Sequence, residues 1–240
     1  MQFLGSLVFT LLLFLTTAVF GLIVLACAWL PIHARYAIPR AWARVLFAML
    51  KLLCRLDYTV EGREHLPNEP FISIWKHSST WDTIAQMLVV PPAAWIVKRE
   101  VIWIPIVGWA VATFRPIAID RSAGGSAVKQ VVAQGRKRFA EGLGVLIYPE
   151  GTRNRTEESL KEFHNGAFKL AVETGKAILP AIILNTKKAL PVNKTFFFWP
   201  TPMEVHFLPP IAVKNTDHVE ELKQRSHELM SNYYATHNAS

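Results

Sequence analysis

The sequence predicts an α/β domain with a largely parallel central sheet flanked by helices, preceded by an N-terminal two-helix membrane-anchoring segment. Three observations predict it. From Asp57 onward, short apolar runs of strand length alternate with helix-length segments, the pattern of a parallel sheet built from strand–helix units. Several of those runs stop on charged clusters, and in such sheets ligands bind outside the strand carboxyl ends. The chain also opens on an apolar stretch, Phe3 to Leu30, without a charged residue.

That stretch is long enough to cross a bilayer core of about 30 Å at a rise of about 1.5 Å per residue. A cleaved signal peptide does not fit, because the n-region lacks Lys and Arg and the run is too long. The same missing basic residues argue against reading Val24-Leu25-Ala26-Cys27 as a lipoprotein processing site. His33, Arg35, Arg40 and Arg44 follow at once, which puts the remainder of the chain on the cytoplasmic side if the segment spans. Pro39 then opens a second segment, Arg40 to Leu56. The spacings of four, seven and four between Arg40, Arg44, Lys51 and Arg55 place these cations on one helical face. Trp42, Val45, Leu46, Met49, Leu50 and Leu53 occupy the other, and we read the helix as lying in a membrane interface rather than packed on the domain. The two segments form either a span plus a surface helix or a pair dipping into one leaflet. Residues 1–56 are thus the anchor, and 57–240 the domain.

Within the domain, Asp57–Glu61 forms a short strand, and Pro67-Asn68-Glu69-Pro70 a turn. Phe71–Trp75 is a buried strand that ends on Lys76-His77-Ser78-Ser79-Thr80-Trp81-Asp82. Thr80–Val90 is a helix capped by Ser78, Ser79 or Thr80. Ala94–Val97 is a strand ending at Lys98-Arg99-Glu100. The stretch Val101 to Trp109 is too short and too broken by Pro and Gly to span a membrane. It lines an apolar pocket, touches lipid or lies in the core. Pro116–Ile119 is a strand ending at Asp120-Arg121. The helix begun at Ala123-Gly124-Gly125-Ser126 is stopped by Gly142 and Gly144. Val145–Tyr148 is a strand ending at Pro149-Glu150-Gly151-Thr152-Arg153. Asn165–Thr174 is a helix, Ala177–Leu184 and Met203–Leu208 are strands, and His218–Tyr234 is a polar helix with a solvated face.

The chain is half apolar (51%), with a net charge of +8. The basic balance fits an anionic partner, and the apolar excess favours a membrane over nucleic acid, for which no motif is present. Cys27 and Cys54 both lie in the apolar N-terminal part, so neither a disulfide framework nor a thiolate metal site is expected. No His-Glu-x-x-His spacing occurs, and no metal or cofactor is expected.

His77-Ser-Ser-Thr-Trp-Asp82 resembles the His-x4-Asp motif of the glycerolipid acyltransferases. Tyr148-Pro-Glu-Gly-Thr-Arg153 resembles that family's Pro-Glu-Gly-Thr-Arg block. Phe114–Arg121 resembles its second block, and Leu179-Pro180-Ala181 its fourth. Lys98 and the Trp103–Trp109 stretch also fit the family pattern. Four blocks in order over Phe71–Ile183 are far more specific than a lone His-x4-Asp. The chain is most similar to the bacterial 1-acyl-glycerol-3-phosphate acyltransferase group. Two departures, Arg115-Pro116 in the second block and a missing second proline in the fourth, bear on the substrate more than on the reaction type.

The resemblance implies transfer of a fatty acyl group from acyl-CoA or acyl carrier protein to the sn-2 hydroxyl of a lysophosphatidate acceptor. It implies His77 as general base, Asp82 as its orienting acid and no acyl-enzyme. Arg153 and Arg121, with Lys98 behind them, would take the acceptor phosphate, and Glu150, Gly151 and Thr152 would shape its pocket. The plainer alternative for His77 is a strand-end histidine bonded to a backbone carbonyl; for the cations it is surface ion pairing. Trp75, Trp81 and Trp95 border an acyl channel or pack in the core. The alternative functions are another acceptor (a different lysophospholipid, a lyso-aminolipid or glycerol-3-phosphate) and a non-enzymatic module on anionic membranes. The expected location is the inner membrane, with the domain on the cytoplasmic side.

Overall fold

The computed structural model describes residues 2–120, 124–154, 159–190, 198–214 and 216–237. In chain order the described elements are α1 (Gln2–Ala26), α2 (Ile32–Arg35), α3 (Ala37–Cys54), β1 (Tyr58–Glu61), β2 (Ile72–Trp75), α4 (Thr80–Val89), β3 (Ala93–Lys98), α5 (Val107–Thr113), β4 (Ile117–Ile119), α6 (Gly125–Ala140), β5 (Gly144–Ile147), α7 (Gly166–Thr174), β6 (Ile178–Leu184), α8 (Thr186–Ala189), β7 (Met203–Phe207) and α9 (Val219–His237).

The strands form one sheet in the order β1-β7-β6-β2-β5-β3-β4. Strands β2 to β6 run parallel. β7 pairs antiparallel with β6, and β1 is parallel to β7. The carboxyl ends of β2, β3, β4, β5 and β6 therefore share one edge, which brings the charged clusters of the sequence to one side of the molecule. β2 lies near the middle and is buried on both faces. That explains its unbroken apolar run, where an alternating one would mark a half-solvated strand.

Helices cover both faces. On one face, Leu46 and Phe47 of α3 and Trp81 of α4 pack with Trp75, Val205 and Phe207 of the sheet. On the other, Val131 of α6, Phe168 of α7 and Leu222 and Met230 of α9 pack against Ile72, Ile74 and Ile182. Because strand side chains alternate, β2 sends Trp75 to the first face and Ile74 to the second. Lys76, on the Ile74 side, reaches α9, where its ammonium lies 4.6 Å from the Tyr234 ring. His77 turns the opposite way, toward α1 and α4.

One expectation is corrected. The apolar face of α3 does not lie free in a membrane interface. Ala43, Leu46, Phe47, Leu50 and Cys54 are buried against α1, α4 and the sheet, and the Phe47 ring meets Trp81 at a tilt of 34° with centroids 4.0 Å apart. Arg44, Lys51 and Arg55 do form an exposed row, but Arg40 is half-buried and donates to Val90 O at 3.0 Å. The spacing was right about the faces; only the fold reveals that the domain supplies the apolar surface. The expected solvated face of α9 is present, and it lies opposite a buried one. Leu222, Ser226, Met230 and Tyr234, four residues apart, are buried, a stripe diluted in the sequence by its small and polar members.

Candidate active site

The site is assembled at the carboxyl end of β2. Ser79 caps α4: its hydroxyl accepts from the Trp81 amide at 3.1 Å, and Asp82 accepts from the Ser79 amide at 2.8 Å. This reciprocal capping box draws Asp82 back over the helix N-terminus, where a carboxylate is favoured by the exposed amides. Asp82 is fully buried, and its Oδ2 also takes the Ser78 amide at 2.7 Å and lies 3.2 Å from His77 Nδ1. A carboxylate beside Nδ1 fixes the proton there and leaves Nε2 as the acceptor.

His77 is held from three further sides. Its amide donates to Glu150 Oε1 at 3.1 Å, and its carbonyl accepts from the Asn154 amide at 2.7 Å. Its ring stacks on Tyr148 with centroids 3.8 Å apart. The Tyr148 hydroxyl lies 3.2 Å from Thr83 Oγ1. Burial, reinforced by the charge of Asp82, pushes the Tyr148 phenol well above its ordinary value, so it stays neutral beside the imidazole.

His77, Thr83, Lys98 and Tyr148 line a cavity of about 400 Å³ whose remaining wall is almost wholly apolar. That lies within the ~300–1,000 Å³ of small-molecule pockets. Thr17, Phe20, Gly21 and Val24 of α1, Trp42 of α3, Trp95 of β3 and Val107 and Val111 of α5 contribute to it. Of the three tryptophans proposed for an acyl channel, Trp95 lines the cavity and donates to Gln86 Oε1 at 3.1 Å. Trp75 and Trp81 are core. The Val101–Trp109 stretch divides too: Val101 and Val107 line the cavity, whereas Trp103, Ile104 and Trp109 are exposed.

The polar residues expected at the site are distributed as follows. The Lys98 ammonium lies 3.5 Å from Glu100, half exposed. Glu150 is buried, and its second oxygen accepts from the Lys161 amide at 3.2 Å. Both Glu150 oxygens accept from main-chain amides, so the residue braces the turn under His77. Gly151 has φ +70°, and a Cβ there would come within 2.8 Å of the His164 ring. The close approach that needs this glycine is to His164. Thr152 and Arg153 are exposed on the turn that ends at Asn154. Lys161, which the sequence did not single out, reaches the same turn, 3.4 Å from Thr152 Oγ1 and 3.2 Å from Arg153 O. Arg121 lies outside the described residues. Among the described residues no cluster of three or more His, Cys, Asp or Glu could hold a metal ion.

Sequence reasoning missed Tyr148 as a partner of His77, although the strand-end argument that found Glu150 covers it. It also missed the contribution of α1 to the cavity, for which the sequence carries no signal, because residues far apart in the chain meet only in the fold.

A partly exposed histidine backed by a fully buried aspartate thus stands beside an apolar cavity on the carboxyl edge of a mostly parallel sheet, an arrangement that fits a ligand with a large apolar part. The chain belongs to the acyltransferase family, whose model matches residues 57–184. It is 38% identical over 152 residues to a 1-acyl-sn-glycerol-3-phosphate acyltransferase of Pseudomonas aeruginosa, covering 63% of this chain and 59% of that one. It is 30% identical over 223 residues to one of Cocos nucifera, covering 92% of this chain and 70% of the relative. The chain spans about three fifths of the length of the first curated relatives it matches. Its fold is that of the crystal structure of the 1-acyl-sn-glycerophosphate (LPA) acyltransferase PlsC from Thermotoga maritima, with TM-score 0.81 and 23% identity over 100% of this chain and 97% of that one.

Proposed function

We propose that the protein transfers a fatty acyl group from a thioester, acyl-CoA or acyl carrier protein, to the sn-2 hydroxyl of 1-acyl-glycerol-3-phosphate, giving phosphatidate. The observation that carries this reading is the His77–Asp82 pair bordering the apolar cavity. The names of the relatives support the acceptor. Nε2 of His77 removes the hydroxyl proton as the acceptor oxygen attacks the thioester carbonyl. Asp82 stabilises the imidazolium, as the acid does in a serine triad. The tetrahedral intermediate collapses, the carbon–sulfur bond breaks, and the imidazolium returns its proton to the departing thiolate. The products are an ester and a thiol. The substrate hydroxyl takes the place of an enzyme serine, so no acyl-enzyme forms.

Lys98 and Arg153 are the cations assigned to the acceptor phosphate, Arg153 by bidentate hydrogen bonds and Lys98 as a point charge. Arg121 is assigned with them on the resemblance alone. The cavity takes an acyl chain. The chain associates with the membrane through the apolar α1, and we place the domain on the cytoplasmic side of the inner membrane, which the cations after α1 favour.

The test is an assay of the purified protein with lysolipid acceptors and both thioester donors. His77→Ala should lower turnover by roughly 10²–10⁴-fold, the worth of a positioned general base. Retained turnover would overturn the mechanism. A preference for another lysolipid or for glycerol-3-phosphate would replace the acceptor and leave the mechanism standing.

A further inference from the structure

Between β3 and β4 the chain leaves the sheet and folds into an apolar knob. From Val101 to Phe114 it carries no charge. A single 3-10 turn, Arg99–Trp103, is followed by α5, and the corner between them is unusual. Ile106 has φ 62° and ψ −65°, and the Val107 amide donates to Pro105 O at 2.6 Å. This is a tight γ-turn with positive φ, rare in any residue and costly in a β-branched one. Such strain persists only where the surroundings enforce it. Here α1 enforces it. A Cβ on Gly21 would come 2.9 Å from Ile106 Cγ2, so the missing side chain on α1 leaves the notch that Ile106 occupies.

With Ile106 turned inward, its neighbours turn out. Trp103 is 64% exposed, Ile104 48% and Trp109 52%. Beside them on α1, Leu22 and Ile23 are exposed, and Trp29 just beyond is 80% exposed. Large apolar side chains gathered in this way mark an interaction surface. Charged side chains stand at its margins: Lys98, Arg99 and Glu100 before the knob, with Lys98 3.5 Å from Glu100, and Arg115 after it, 3.1 Å from Glu141.

We infer that the Trp103–Trp109 knob is a second membrane-inserting element, entering the same leaflet of an anionic glycerophospholipid bilayer as the exposed face of α1. Three features choose lipid over a protein partner. The knob continues the apolar surface of α1. Its exposed tryptophans are the side chains that favour the membrane–water boundary. Its margin is net cationic, with Lys98, Arg99 and Arg115 against Glu100 and Glu141, which suits anionic head groups. The arrangement also serves the site. Val101, Val107 and Val111 line the cavity from inside, so the knob is its outer wall, and insertion brings the cavity to the level of the lipid chains.

The test uses the full chain with Cys27→Ala and Cys54→Ala, a nitroxide on Ile104→Cys or Trp109→Cys, and vesicles of phosphatidylglycerol and phosphatidylethanolamine. Power saturation should find both labels more accessible to oxygen than to a water-soluble nickel chelate, as at Leu15→Cys on exposed α1. A label at Lys137→Cys on α6 should show the reverse. Nickel access at 104 and 109 equal to that at 137 would overturn the inference. So would exclusion of both relaxers, the signature of a protein contact. A kinetic arm rests on the acyl-transfer reading. Trp103→Ser/Trp109→Ser should raise the KM for vesicle-embedded acceptor roughly tenfold while sparing a short-chain monomeric one. An equal loss on both acceptors counts against insertion. If the parent chain turns over no lysolipid, the acyl-transfer reading fails and the depth measurement alone decides the inference.

Discussion

At the scale of single residues, the site is governed by what holds His77 rather than by His77 itself. An imidazole at the end of a strand has rotamers to choose from. Here the choice is removed by Asp82 on Nδ1, Tyr148 on the ring face, and Glu150 and Asn154 on the main chain. Glu150 shows how much residue type alone leaves open. In the sequence it is a carboxylate in a cationic cluster and reads as part of an acceptor pocket. In the fold its oxygens serve two amides. Replacing one oxygen with an NH2 group sets a donor against a buried donor, a cost of about 1–3 kcal/mol. Glu150→Gln should therefore lower kcat and thermal stability together, with little change in the KM for the acceptor. A rise in that KM at unchanged kcat would restore Glu150 to the acceptor pocket. Initial-rate kinetics and melting in one detergent decide between them.

At the scale of elements, α4 brings Asp82 to His77 because of how it starts. The Ser79 cap and the Asp82 return bond satisfy amides that an uncapped helix would leave open. The same carboxylate then holds the imidazole, so capping and the orientation of His77 share one group. Ser79→Ala should cost about 1 kcal/mol of stability, the usual worth of a cap. It should also lower kcat, since Asp82 loses the Ser79 hydroxyl at 2.9 Å as well. Thermal melting with turnover measured well below the transition checks this. A stability loss with unchanged kcat would separate the cap from the site. The strands and helices around α4 follow their sequence signals closely. The expected runs at Ala94–Val97, Ala177–Leu184 and Asn165–Thr174 fall within a residue of the observed β3, β6 and α7. These segments are short and bounded by Gly, Pro or charge, which local sterics enforce whatever the tertiary context.

At the scale of the molecule, α1 joins the anchor to the cavity. At about 1.5 Å per residue it is some 37 Å long. Near its start, Gln2 donates to Cys54 O at 2.8 Å, and Phe9 meets Phe198 with ring centroids 4.9 Å apart. In its middle, Thr16 accepts from Trp42 Nε1 at 3.2 Å, and toward its end Val24 packs in a cluster with Tyr36, Ala110 and Phe114. The helix thus lies along the body of the protein, one side docked and the other exposing Leu7, Leu11, Phe14 and Leu15. The apolar area on that outer side is large enough that salt or alkaline carbonate should not strip the protein from membranes. Release into the supernatant under either wash would refute attachment through α1. Sedimentation followed by immunoblotting measures it.

What the sequence determined by itself was local and chemical. It supplied the strand and helix periods, the capping serines, the histidine and aspartate at one strand end, and the apolar length of α1. These are set by neighbours a few residues apart, where sterics and hydrogen bonding act without the fold. The tertiary structure decided what each apolar face is for. It turned the apolar side of α3 onto the domain, made Glu150 a brace, laid α1 beside α5 to close a cavity, and left Trp103 and Trp109 outside. The reason is physical: burial is non-directional, so a hydrophobic stripe records that a partner is needed without naming it. Only long-range packing settles whether that partner is the core, a substrate chain or lipid.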